Sequence, residues 1–415
     1  MKNKNPNWIC FQIGAREHYA VPRALAQENK LNHLVTDAWI TQKSPIHLLP
    51  HSLFGGLQER FHYKLLSQSV HSFNHSLIQF EINQKFKNQP AWSCIIARNN
   101  WFQSHALKFL KRISHQVTNE IIIFAYSYAA LEIFKYAKKQ GWKTILGQID
   151  PGIYEEQLVK LECDRYSQYG QSWQPAPAQY WTDWQQECHL ADQIVVNSNW
   201  SKQALQIANI DSKKIQVIPL AYTPPSNSNS FTRTYPSNFS PERPLRVLFL
   251  GQVILRKGIA RIFEAIELLA DEAIEFWFVG TKNIKIPEKV RNNPKVKWFG
   301  SVSRSETAKY YQQADVFLFP TLSDGFGLTQ LEAQVWKLPI IVSKNCGEVI
   351  QNRFNGLVIP EVSGMAIANS LSLSLSQPGL LAKLSNNSIN CTNKYSMDSL
   401  RISLNKLNNQ NILYK

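Results

Sequence analysis

Short β-branched and aromatic runs alternate with helix-length segments along most of this chain, and that alternation restricts its fold more than any other feature. The strand-like runs of the first half are Trp8–Gly14, His33–Thr36, Ile121–Ala125, Thr144–Ile149, Gln193–Asn197 and Gln216–Pro219. Those of the second are Arg246–Gly251, Glu275–Gly280, Val296–Gly300, Val316–Pro320 and Pro339–Ser343. Strand, helical crossover and strand make a βαβ unit, which predicts parallel sheets and an α/β fold. Tyr222–Pro244, rich in Pro, Ser and Asn, reads as a linker between two domains, the first spanning 1–221. A length of 415 residues suits that division. Ser44–Gln116, with seven of the ten histidines, is expected to hold helices and loops. Ligands of such sheets sit outside the carboxyl ends of the strands, so the strand-to-helix turns are where chemistry is expected.

Composition narrows the partners. The formal net charge is +15, with a pI near 9.4, which favours nucleic acid, an acidic membrane surface or a phosphorylated small molecule. No recognition motif supports nucleic acid. The six cysteines, at 10, 94, 163, 188, 346 and 391, include no Cys-x-x-Cys pair, which points to reduced thiols rather than a zinc or disulfide framework. No apolar signal core precedes Trp8, and the apolar run Ile121–Phe124 is far too short to span a bilayer. A cytoplasmic protein, touching an anionic membrane only peripherally, is the expectation.

Three turns of the second half carry the chemistry. Gly251–Gly258 follows a strand and sets Arg256 and Lys257 side by side, a pair suited to a diphosphate. Gly300–Glu306 contains Ser303 and Glu306 at capping-box spacing, and the backbone of Ser301 and Val302 is placed to meet a nucleotide base. Pro320–Ala333 ends a strand, passes through Asp324-Gly325-Phe326-Gly327 and opens a helix near Gly327. The glycines admit a ligand to the backbone, and free N–H groups at the helix start favour an anion. Glu332, early in that helix, is placed to accept hydrogen bonds from sugar hydroxyls.

The run from Asp324 to Ala333, followed by Trp336–Ser343, resembles the signature of glycosyltransferase family 4. The Arg256-Lys257-Gly258 turn, Tyr310–Pro320, Phe354–Pro360 and Glu187–Ser198 fit the same family in the same order. The resemblance implies a GT-B fold of two Rossmann-like domains facing a cleft. It implies residues 245–395 as the nucleotide-sugar domain and 396–415 as a tail whose helix, Met397–Leu407, crosses back to the first domain. It also implies a retaining transfer from a nucleotide-sugar donor to a glycan or lipid-linked acceptor, with no metal or other cofactor. On that basis Arg256 and Lys257 neutralise the donor diphosphate, and the backbone from Gly325 through Phe326 to Gly327 and Leu328 holds phosphate. Glu332 takes the ribose, and Asp324 the hydroxyls of the transferred sugar. Gly251, Gln252 and Val302 complete the donor set. Two positions depart from the pattern: Asp324 replaces the usual glutamate, and Gln252 stands where a basic residue is common.

On the acceptor side, Gly14, Arg16 and His18 follow the first strand. Asp150 stands where many members carry a histidine beside the transferred sugar, and helix capping is its alternative use. His71 and His75, or His47 and His51, would share a helix face, yet lack the further ligands a metal site needs. Phe102, Ala106, Phe109, Leu110 and Ile113 form an apolar stripe beside Lys108, Lys111 and Arg112, suited either to a membrane or lipid-diphosphate surface or to packing on the first sheet. A sugar-nucleotide epimerase and a non-catalytic glycan-binding or nucleotide-sugar-binding protein stay open as alternatives.

Overall fold

The computed structural model describes residues 7–44, 57, 60–87, 89–116, 120–388 and 393–409. Strands β1 (Asn7–Gln12), β2 (Leu31–Thr36), β3 (Val70–Ser72), β4 (Ile121–Tyr126), β5 (Lys143–Gly147), β6 (Gln193–Val196) and β7 (Ile215–Val217) form a seven-stranded sheet in the order β3-β2-β1-β4-β5-β6-β7. Strands β8 (Leu245–Leu250), β9 (Ile274–Val279), β10 (Val296–Gly300), β11 (Val316–Phe319), β12 (Ile340–Val342) and β13 (Gly356–Val358) form a six-stranded sheet, β10-β9-β8-β11-β12-β13. Every ladder in both is parallel. All eleven strand-like runs form strands. The two additions, β3 and β13, are three-residue edge strands without enough apolar pattern to stand out.

Both faces of each sheet are buried, as parallel sheets require. Along β1, Ile9 and Phe11 enter one core cluster while Trp8 and Cys10 enter the other. Along β8, Val247 and Phe249 face one cluster and Leu248 the opposite one. The strand order reverses between β1 and β4 and again between β8 and β11, so crevices open at those carboxyl ends.

The longest helix, Ala91–Ile113, buries Phe102, Ala106, Phe109, Leu110 and Ile113 in the first domain's core. Its apolar stripe therefore packs on protein rather than lipid, while Lys108, Lys111 and Arg112 face outward beside it. No helix among the described residues is long and apolar enough to cross a membrane. His71 and His75 do not share a helix. His71 lies in β3, stacked on Phe109 at 4.5 Å, and His75 begins the helix Asn74–Lys85. His47 and His51 lie outside the described residues.

The segment 222–244 is less free than its composition implies. Arg233 donates to the carbonyls of Trp336, Ala314 and Tyr311, and Arg243 grips Asp315 through two hydrogen bonds of 2.6 and 2.7 Å. These charge-assisted bonds tie the segment to the second domain. The final helix, Met397–Asn409, buries Leu400, Leu404 and Leu407 beside Trp8 and Tyr19 of the first domain. Lys30 bonds Asn405 at 2.6 Å, and Arg401 pairs with Glu28.

Candidate active site

After β8 the chain makes a tight turn, Leu255–Lys257, and leaves it through Gly258 at φ +75°. A Cβ there would lie 2.1 Å from the Pro320 carbonyl oxygen, so glycine lets this turn nest against the end of β11. The Arg256 carbonyl accepts from Leu322 N at 2.8 Å, locking the two turns together. As a result Lys257 pairs with Asp324 and lies over the Phe319 ring, while Arg256 Nη1 bonds the Ser323 carbonyl at 2.8 Å. The same guanidinium is 3.5 Å from Glu155 and 3.9 Å from Asp324.

Two carboxylates thus share two cations and titrate in opposite directions. Burial pushes the Asp324 carboxyl up, but Lys257, Arg256 and the Phe326 N–H outweigh it and hold it below the ordinary carboxylate range. Burial lifts Glu155 to about 7; Arg256 opposes this, and Asp150 and Asp324 reinforce it.

The turn after β11 also meets the first domain. A Cβ on Gly325 would sit 2.6 Å from the Ile149 carbonyl oxygen, so any larger residue would push the two crevices apart. The Ser198 hydroxyl donates to the Gly325 carbonyl at 2.7 Å, and Trp200 Nε1 donates to Ser323 Oγ at 3.0 Å. Phe326 is expected to meet a donor through its backbone. Its ring is 2% exposed in the core, edge-on to Tyr395, so only its backbone remains for a ligand. The helix that follows is Thr329–Val335, seven residues long and starting two residues later than expected. So short a helix carries a small dipole, so the positive charge at this turn comes chiefly from Arg256 and Lys257. Glu332 Oε2 accepts from the Tyr311 hydroxyl at 3.0 Å, and its Oε1 lies 3.8 Å from Arg304. Val302 and Leu328 pack half-buried against one cluster, Gly251 is half-buried, and Gln252 is exposed. Ser303 and Glu306 form the expected capping box.

On the facing side, Gly14 is absorbed by structure: its N–H donates to Asp37 at 2.9 Å, and a Cβ would strike Arg60. Arg16 stacks over Tyr126, and His18 meets Arg304 across the cleft. Glu17, His18 and Tyr19 are all left-handed, at φ 51°, 51° and 59°. Each such non-glycine residue costs about 1–3 kcal/mol, and such strain gathers at functional sites. Asp150 accepts from the Tyr128 hydroxyl at 2.5 Å and from Gly152 N at 2.9 Å, so it caps its own turn as well as facing the crevice. Tyr128 is itself left-handed, at φ 73°. Its turn is held by the buried Glu187, whose carboxylate accepts from the N–H of Tyr128 and Ala130 at 2.7 Å each and of Leu131 at 3.1 Å. Burial raises Glu187 to about 7 against the pull of those N–H groups.

Glu155, Tyr128, Arg304 and Ser198 were not singled out by the sequence. Arg304, one residue past Ser303 on the Gly300–Glu306 turn, and Ser198, the end of the Glu187–Ser198 segment, stood beside a visible signal.

Residues 231–390 match the family described as glycosyl transferases group 1. A diphospho-undecaprenol α-1,3-N-acetylgalactosaminyltransferase acting on N,N'-diacetylbacillosamine, from Campylobacter jejuni, is 27% identical over 36% of this chain and 40% of its own length. An amylovoran biosynthesis glycosyltransferase of Erwinia amylovora is 28% identical over 32% of this chain and 37% of its own. The chain thus spans less than half the length of these relatives. Two solved structures resemble nearly the whole chain. Sucrose-phosphate synthase of Thermosynechococcus elongatus has a TM-score of 0.62 and 15% identity, covering 99% of this chain and 100% of its own. Anabaena HepE, solved with UDP-glucose, has 0.59 and 12%, covering 97% and 99%. The fold is the two-domain GT-B arrangement of parallel α/β sheets.

Proposed function

We propose, from the match of residues 231–390 to the glycosyl transferases group 1 family, that the whole chain is a retaining, metal-independent glycosyltransferase moving a sugar from a nucleotide-sugar to a glycan or lipid-linked glycan. The observation that carries this reading is the meeting of Lys257 and Arg256 with Asp324 at the crevice between β8 and β11.

In transfer, the bond from anomeric carbon to diphosphate oxygen breaks and its electron pair stays on the diphosphate. The acceptor hydroxyl oxygen bonds that carbon, and its proton leaves with the nucleoside diphosphate. Lys257 and Arg256 stabilise the charge growing on the diphosphate, the kind of preorganised interaction whose removal costs about 2.7–4 kcal/mol. For this Lys257 exchanges its Asp324 partner for phosphate, which frees the Asp324 carboxylate for hydroxyls of the transferred sugar. Glu332 receives the ribose hydroxyls, the backbone from Gly325 to Leu328 the phosphate, and Val302 and Gly251 flank the nucleotide. Asp150, Arg16 and His18 line the acceptor side. The exposed Lys108, Lys111 and Arg112 are the groups on that helix left to meet an anionic membrane.

Thermal shift with UDP-, GDP- and ADP-sugars tests the donor class, since a ligand of the native state raises the melting temperature. Release of nucleoside diphosphate with a glycosylated product supports the proposal. Tight donor binding with no release in the presence of acceptors would instead mark a binding protein.

A further inference from the structure

Beside Arg256, a crevice of about 230 Å³ runs into the first domain between Asp150, Glu155 and a set of aromatic rings. Tyr180 is the hub. It stacks on Tyr128 at 4.9 Å and 16°, meets Trp181 edge-on at 5.2 Å, and packs against Trp92 at 5.0 Å. None of these four rings is buried, whereas the adjacent Trp184 is fully buried and bonds Gln148 through Nε1 at 2.9 Å. The rings are held firmly from behind: Trp92 Nε1 donates to the Gln174 carbonyl at 2.9 Å and Trp181 Nε1 to Glu156 at 2.8 Å. The Tyr128 hydroxyl is tied to Asp150. Rigid, half-exposed aromatic rings lining a crevice offer negative faces to weakly positive C–H groups. The carboxylates alongside offer acceptors for hydroxyls: Glu155 Oε2 has the Arg256 guanidinium at 3.5 Å and no closer hydrogen-bond donor.

We propose that the crevice formed by Trp92, Tyr128, Tyr180 and Trp181 with Asp150 and Glu155 is an acceptor subsite for an uncharged saccharide, whose ring stacks on the aromatic faces while its hydroxyls donate to the carboxylates. A phosphate is disfavoured there, because Asp150, Glu155 and Glu156 outnumber Arg256 along the walls. A lipid diphosphate, where the acceptor has one, lies outside this pocket. The inference rests on the proposed transferase reading and specifies its acceptor.

The test is saturation-transfer NMR on the full chain with maltose, cellobiose and lactose, and in parallel with UDP and with inorganic pyrophosphate. Sugar C–H signals are expected with at least one disaccharide. They should weaken at least tenfold in both Trp92→Ala and Tyr180→Ala, while UDP binds the wild type and both variants alike. Tyr180→Phe should retain the sugar signal, since it keeps the ring. Absence of binding by all three disaccharides, sugar signals unchanged in both alanine variants, or displacement of the sugar by pyrophosphate with UDP still bound would overturn the subsite. Failure of every nucleotide-sugar to bind the wild type would instead strike the donor reading beneath it.

Discussion

The two lips of the cleft are built from opposite materials. The second-domain lip gathers the cations Arg256, Lys257 and Arg304 on turns after β8 and β10, set against Asp324 and Glu332 that follow β11. The first-domain lip beyond it is acidic and aromatic, with Asp150, Glu155 and Glu156 among Trp92, Tyr128, Tyr180 and Trp181. On the proposed reading, a diphosphate takes the former and a neutral sugar the latter. The difference teaches how one cleft can divide the proposed tasks, charge neutralisation on one side and ring stacking with hydroxyl acceptance on the other, with Arg256 shared between Asp324 and Glu155 at the seam.

Breaking the cationic lip should give the largest effect. Lys257→Ala is expected to lower turnover of nucleotide-sugar roughly 10²–10³-fold, the cost of one transition-state anion donor. Initial rates of nucleotide release check this, and near wild-type turnover would remove Lys257 from the site. Glu332→Ala should weaken donor binding by about 1.5–3 kcal/mol if its carboxylate takes ribose hydroxyls. Calorimetry with UDP and its deoxyribose analogue reads the change, and an equal loss for both nucleotides would point away from the ribose. Gly325→Ala brings a Cβ to within 2.6 Å of Ile149 O and should cost about 1–3 kcal/mol. Because the strain falls where the two lips touch, the melting temperature should drop while nucleotide binding by the second domain persists.

The smallest effect separates the lips by pH. Glu155 and Glu187, both lifted to about 7, bind protons more tightly folded than unfolded. Their contribution is full below about pH 4.5 and is lost as pH rises through 7, so stability should decline between pH 5 and 8. Asp324, held low, behaves oppositely: its contribution is present above the unfolded carboxylate range and is lost only as pH falls through its lowered value. Glu187→Gln removes one titrating group and leaves an amide facing the Tyr128 N–H, so it should flatten the neutral slope and cost about 1–3 kcal/mol. Melting temperatures across pH 4–8 would show both effects, and an unchanged slope would clear Glu187.

How much was legible follows from locality. Strand β11, the Asp324–Gly327 turn and Glu332 lie within 17 consecutive residues, so one stretch of sequence displays the strand, the bend and the carboxylate together. The capping box at Ser303 and Glu306 is equally local. The aromatic crevice is assembled from positions 92, 128, 155 and 180, and no periodicity relates residues on separate helices and turns. Gly14 looked like a ligand turn until Asp37 and Arg60 occupied it, and nothing local in the sequence shows that Gly347 and Tyr395 pack on the Phe326 ring.

By itself, then, the sequence determined the α/β class, the parallel strands and the cationic turn, because strand periodicity and turn chemistry are short-range. Only the tertiary structure decided which face Phe102–Ile113 buries, that Arg233 and Arg243 fasten the segment 222–244 to the second domain, and that Glu155 joins Arg256. Those outcomes depend on burial and on charges from distant segments, which exist only once the sheets have brought them together.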